Sequence, residues 1–293
     1  MLRSRIESIG VSLPRNGPWK PGSLAHATKA GSQCLGSSCY LPIDVEVLIN
    51  AGVHRDRHYA EPAFASYIQN KLAINIEFQR RQTASFDLQN GGCGMLSALH
   101  VLTTMMQSGA IRTGMAIASE VNTDRDPDPD SSIIASGAAI ILDISPSADR
   151  GFGSFVFRTY DEHIDLSRSM VDLGVERGRL LMHREKDLDQ TCLSLLPEVW
   201  EELLESEQVK REDIDLLIPS QISARFLAGL PATLGLPPEK IVDVFPQYGD
   251  TLTTSPVLAL DHAQKQGRVE PGTRIAFLTV GSGITVGAAI YDF

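Results

Sequence analysis

Cysteine is scarce in this 293-residue chain, four in all. Cys34, Cys39, Cys93 and Cys192 are too few and too scattered for a disulfide framework, so a reducing, cytoplasmic setting is expected. Cys34 and Cys39, in QCLGSSC, would make half a metal site. No second pair of ligands accompanies them, so they are read as structural and no metal is expected. No run of 18 apolar residues occurs, so no membrane-spanning helix is expected. The N-terminal MLRSRIESIGVSLP lacks the apolar stretch of a signal peptide. No Lys/Arg-rich run occurs and the net charge is −10, which argues against nucleic acid as a partner.

What is present is a repeat. The first half reads DVEVLIN, the helical EPAFASYIQNKL, the strand TASFDL, the apolar helix Cys93–Ser108, then the strands GMAIASE and SGAAIILDI. The second reads DIDLLIP, the helical ISARFLAGLPATLG, the strand KIVDVF, the helix TLTTSPVLALDHAQKQG, then RIAFLTVG and ITVGAAIYDF. Both closing strands contain GAAI, at Gly137 and Gly287. Val/Ile/Leu-rich strands alternating with helices predict mainly parallel sheets buried on both faces. A nearly all-apolar helix in each half fits a central layer. The expected organisation is two duplicated halves, 1–145 and 211–293, joined by a connecting segment, 146–210. Within that segment PSADRGFGSFVFRTYDEH predicts a turn and an edge strand. LDQTCLSLLPEVWEELLESEQVKRED predicts an amphipathic helix in which Pro197 marks a kink or a start. Residues 165–187 carry no clear pattern.

FDLQNGGCGMLSAL (86–99) places a cysteine in a glycine turn at the start of an apolar helix. A helix N-terminus offers free N–H groups and a partial positive charge, which favour a thiolate. The stretches SFDLQNGGCGMLSAL, QSGAIRTGMAIASE, DIDLLIPSQISARF, YGDTLTTSPVLALDHA and GRVEPGTRIAFLTVGSGITVGAAIYDF, together with the repeat, resemble the thiolase superfamily, and within it ketoacyl-acyl-carrier-protein synthase III. The resemblance implies a five-layered α-β-α-β-α sandwich and a homodimer, or a heterodimer with a related ketosynthase, built beside the strand carrying SFDL. It implies an acyl-carrier-protein or acyl-CoA thioester as the substrate, fatty acid or polyketide biosynthesis as the setting, and no cofactor.

In that family a cysteine takes the acyl group, while a histidine and an asparagine stabilise the enolate of a decarboxylating malonyl thioester. Ungapped matching puts Gly92 at the cysteine position, with Cys93 one residue later, Ser220 at the histidine and Asp250 at the asparagine. One residue along a helix turns a side chain by about 100°, though the flanking glycines could relax that register. Cys93 therefore stands either as a nucleophile or as a packed core residue. An ionised Asp250 accepts hydrogen bonds only and would repel an enolate; it is also a natural N-cap for the helix that follows. By the resemblance, Gly281 and Gly283 of GSGITVG supply a backbone N–H to the acyl oxygen, and Arg225 sits near the pantetheine entrance. GSGITVG is not a dinucleotide loop, because a strand follows it. His58 and Glu61, in HRDRHYAEP, fall where the family lines its acyl pocket and could supply an acid or base. The segment between VSLP and DVEVLI is shorter than the family's coenzyme A insert. The acidic DRDPDPD (124–130) is read as a solvated loop. Acyl transfer is the expected chemistry, in preference to decarboxylative condensation. The alternative is a catalytically silent synthase-like subunit that pairs with an active ketosynthase.

Overall fold

Strands whose every residue is buried set the architecture, seen in a computed structural model that describes residues 2–13, 20–75, 83–130, 133–175 and 177–293. In chain order the elements are β1 (Ser4–Ser12), α1 (Ser23–Ser37), β2 (Val47–Asn50), α2 (Phe64–Lys71), β3 (Ala84–Asp87) and α3 (Gly94–Gln107). Then come β4 (Thr113–Glu120), β5 (Ser136–Ile144), β6 (Gly151–Thr159), β7 (Ser167–Asp172), β8 (Arg179–Arg184) and α4 (Leu188–Glu207). The chain ends with β9 (Leu216–Pro219), α5 (Ala224–Leu234), the single turn α6 (Phe245–Tyr248), α7 (Ser255–Lys265), β10 (Arg274–Gly281) and β11 (Thr285–Asp292).

Two sheets form, ordered β1-β5-β4-β2-β3 and β6-β11-β10-β9, with β7 and β8 as a separate hairpin. Because side chains alternate across a strand, each sheet feeds two apolar layers. On β4, Met115 and Ile117 join an outer cluster with Ala27 and Ile68 of α1 and α2. Ala116 and Ala118 instead join a central cluster with Leu99 of α3 and Leu260 of α7. On β10, Ile275 and Phe277 face that same central cluster. Ala276 and Leu278 pack outward with Trp200 of α4 and Phe226 of α5. This is the five-layered arrangement of two similar halves.

The sheets are mixed and not mainly parallel. β2 runs parallel to β3 and β4, while β4–β5 and β1–β5 are antiparallel. β9 runs parallel to β10, and β11 is antiparallel to both β10 and β6. KIVDVF forms no strand: Ile241 makes one parallel bridge to Leu217, and the chain then turns into α6. β6 is the edge strand foreseen for its stretch. Pro197 lies inside α4 and starts nothing. Residues 165–187, patternless in sequence, supply the β7–β8 hairpin and the start of the approach to α4. Residues 14–19 of the short segment before DVEVLI lie outside the described residues; most of the remainder is α1. Among the described residues no helix is long and apolar enough to cross a membrane, and no group of three or more His, Cys, Asp or Glu is placed to hold a metal.

Candidate functional site

The glycine turn before α3 is closed by Cys93 N–H donating to Asn90 O at 3.0 Å, and Gly91 takes φ +49°. That turn nests against the end of β10. A Cβ on Gly92 would stand 2.2 Å from the Val280 carbonyl oxygen, and one on Gly281 would stand 2.7 Å from Asn90 O. Both obstacles are backbone, which no rotamer change removes. The two segments approach this closely because neither carries a side chain there.

Cys93 points the other way. It is fully buried, and its Sγ donates to Thr285 O at 3.3 Å. Burial pushes the thiol up to about 12, against a weaker opposing pull from hydrogen bonding. At neutral pH it is a protonated core group. Of the four free cysteines, Cys34 and Cys192 are also buried and only Cys39 is exposed. Iodoacetamide at pH 7.5 is therefore expected to modify Cys39 in the native protein and all four after denaturation, read by peptide mass. Cys93→Ala is expected to cost about 1 kcal/mol.

Gly92, Ser220, Asp250 and Gly281 meet around one cavity of about 50 Å³, with Ser167, Arg184, Cys192 and Ser282 also on its wall. Ser220 follows β9, and its Oγ accepts from Val280 N–H at 2.9 Å. This bond ties the end of β9 to β10 through the Thr279–Val280 peptide. Asp250 accepts from Leu252 N–H at 2.9 Å, a local turn two residues on; the N-cap of α7 is Thr254, so Asp250 does not cap that helix. Its other oxygen accepts from Arg184 Nη2 at 2.6 Å, a partner that β8 brings from 66 residues away. Burial raises the Asp250 carboxyl above the ordinary range, and the Arg184 charge pulls back against that. A cavity this small holds a few waters, whereas ligand pockets run from about 300 to 1,000 Å³.

The other sequence candidates lie elsewhere. Arg225 is exposed on the first turn of α5, and Gly283 is off the wall of this cavity. His58 lines a different cavity, under the β7–β8 hairpin, and its Nε2 faces Asp124 Oδ1 at 2.9 Å. Sequence reasoning missed Arg184, Ser167 and Ser282. It also missed Glu120, which is fully buried and accepts from the Thr253 hydroxyl and from the backbone N–H groups of Val53 and His54. The signal for Arg184 lay in the segment without periodicity; nothing in the sequence joins Glu120 to His54.

Comparison with known proteins bears on the fold. Residues 204–293 match the family described as 3-oxoacyl-[acyl-carrier-protein (ACP)] synthase III C terminal. A beta-ketoacyl-[acyl-carrier-protein] synthase III from Rhizorhabdus wittichii is 28% identical over 90% of this chain and 82% of that protein. One from Erythrobacter litoralis is 26% identical over 91% of this chain and 83% of that protein. The crystal structure of 3-oxoacyl-[acyl-carrier-protein] synthase III from Aquifex aeolicus superimposes with a TM-score of 0.85 at 22% identity, covering 99% of this chain and 100% of that one. The chain thus shares the fold of beta-ketoacyl-[acyl-carrier-protein] synthase III proteins, is similar to them over about nine-tenths of its length, and matches their C-terminal region over residues 204–293.

Proposed function

We propose that this chain is a synthase-like subunit whose thiolase centre is catalytically silent, working in the cytoplasm beside an active ketosynthase that handles carrier-bound acyl thioesters. The observation that carries the reading is the contact at Gly92: the family's nucleophile position is closed by the Val280 carbonyl, 2.2 Å from where a Cβ would stand. Three further features support it. The Cys93 thiol is buried and protonated, Asp250 is engaged by Arg184, and the cavity is too small for a pantetheine arm. A short edge strand, β3, has β2 as its one neighbour among the described residues. An unpaired strand edge is a template for pairing with another chain, and this edge carries SFDL, where the resemblance puts the dimer.

The test is site-resolved mass spectrometry after incubation with acyl-CoA and with acyl-carrier-protein thioesters. Cys93 is expected to stay unacylated, and Cys93→Ala is expected to leave a paired ketosynthase's turnover unchanged. An acyl thioester on Cys93, together with loss of turnover in Cys93→Ala, would instead make the chain an acyltransferase at the thiolase centre.

A further inference from the structure

A second cavity, of about 310 Å³, lies under the β7–β8 hairpin and is lined by His54, Arg55, His58, Tyr59, Ser169 and Leu180 among others. Its size falls at the low end of small-molecule pockets. His54 Nδ1 stands 2.7 Å from Glu120 Oε2, at the buried end of β4. A ring nitrogen facing a carboxylate oxygen carries a proton, and in the neutral ring that tautomer leaves Nε2 its lone pair. That Nε2 stands 3.4 Å from the hydroxyl of Ser169 on β7. Serine, histidine and carboxylate thus follow one another in the order of a nucleophile, its base and the group that orients the base. The long first link is ordinary for such a pair without substrate.

The same cavity holds a buried cation. Arg55 is 6% exposed. Its Nη1 pairs with Asp87 Oδ2 at 2.8 Å, and its guanidinium lies 5.7 Å from the Phe64 ring centroid. Its Nε has no hydrogen-bond partner among the described residues. A buried N–H without an acceptor is costly, and this one is shut off from the cavity, so Arg55 bears on the cavity through its charge.

We propose that Ser169, His54 and Glu120 form a second, independent active site that hydrolyses short acyl esters or thioesters. Ser169 Oγ bonds to the acyl carbonyl carbon, and its proton passes to His54 Nε2. The Arg55 charge on the cavity wall favours the carbonyl oxygen as it becomes an oxyanion. The bond from carbon to the leaving alkoxide or thiolate breaks, and the leaving group takes the proton from His54. Water then attacks the acyl-serine, His54 takes its proton and returns it to Ser169, and the carboxylic acid departs. One water is consumed and no other reactant is needed. Ser169 and His54 are the catalytic residues; Glu120 is a positioning residue, which fixes the tautomer and orientation of His54. The site shares no residue with the thiolase cavity, so it stands or falls apart from the function proposed above.

The experiment uses the full chain, a fluorophosphonate probe and p-nitrophenyl butyrate. The probe is expected to map to Ser169, and Ser169→Ala, an exposed change that preserves the fold, is expected to lose both the label and at least about 100-fold in hydrolysis. His54→Gln is expected to do the same with an unchanged melting temperature. Glu120→Gln is expected to lower kcat more than it changes KM and to shift the pH–rate profile. Labelling of another residue, or wild-type hydrolysis by Ser169→Ala, overturns the proposal.

Discussion

Raising the pH from 8 to 10 is expected to cost this protein several kcal/mol of stability. Cys34, Cys93 and Cys192 are each pushed up to about 12, chiefly by burial. In the unfolded chain the same thiols titrate near their ordinary value of about 9. Their folded values are raised, so the native state holds protons that the unfolded state releases. Stability is therefore complete below about pH 9 and is lost as the pH climbs toward 12. Each such proton is worth about 1.4 kcal/mol per pH unit, so three thiols remove roughly 4 kcal/mol per unit once the unfolded chain is fully ionised. Against a typical net stability of about 5–15 kcal/mol, unfolding is expected near pH 11. Tyr291, also raised to about 12 by burial, steepens the fall. Urea titrations under reductant at pH 8 and 10 check this; each thiol replaced by Ala should flatten the dependence by about a third of the thiol contribution. Equal midpoints at both pH values would mean that the thiols are not protonated core groups.

Replacing Gly92 with Cys, the residue the family carries there, is expected to damage the fold without restoring a nucleophile. The new Cβ would meet the Val280 carbonyl at 2.2 Å. The preceding peptide is held through its Val280 N–H by Ser220 Oγ at 2.9 Å, and Val280 and Gly281 are paired with Val286 and Thr285 of β11. Overpacking against fixed backbone costs about 1–3 kcal/mol, and a fall in Tm of several degrees is expected. Gly92→Ala should cost nearly as much, because the collision is at Cβ. A Gly92→Cys protein that melts with the wild type and acylates on incubation with acyl-CoA would show that the turn opens readily.

The layered fold was legible because its strongest signals are local. The runs GMAIASE, SGAAIILDI, RIAFLTVG and ITVGAAIYDF are buried nearly end to end, and burial on both faces leaves little room for polar residues. Strand direction was less legible. KIVDVF has the composition of a strand, but Ile241 makes a single bridge before Pro246 helps start a helical turn. In the cavity, Gly92, Ser220 and Asp250 were reachable from sequence, because an ungapped register carries position directly. Arg184 was not, since it comes from a hairpin with no apolar period and pairs across 66 residues. The Glu120–His54–Ser169 line was equally hidden: its members come from β4, a loop and β7, and only the fold sets them side by side.

Release of labelled carbon dioxide from malonyl-carrier protein in the presence of an acyl-CoA primer tests most directly whether the cavity at Gly92 is chemically silent. No hydrolysis at Ser169 produces this signal, so the readout isolates the first cavity. The purified chain alone is expected to release label no faster than buffer, with Cys93→Ala and wild type indistinguishable. Turnover at roughly 1 per second or more, abolished by Cys93→Ala, would contradict it.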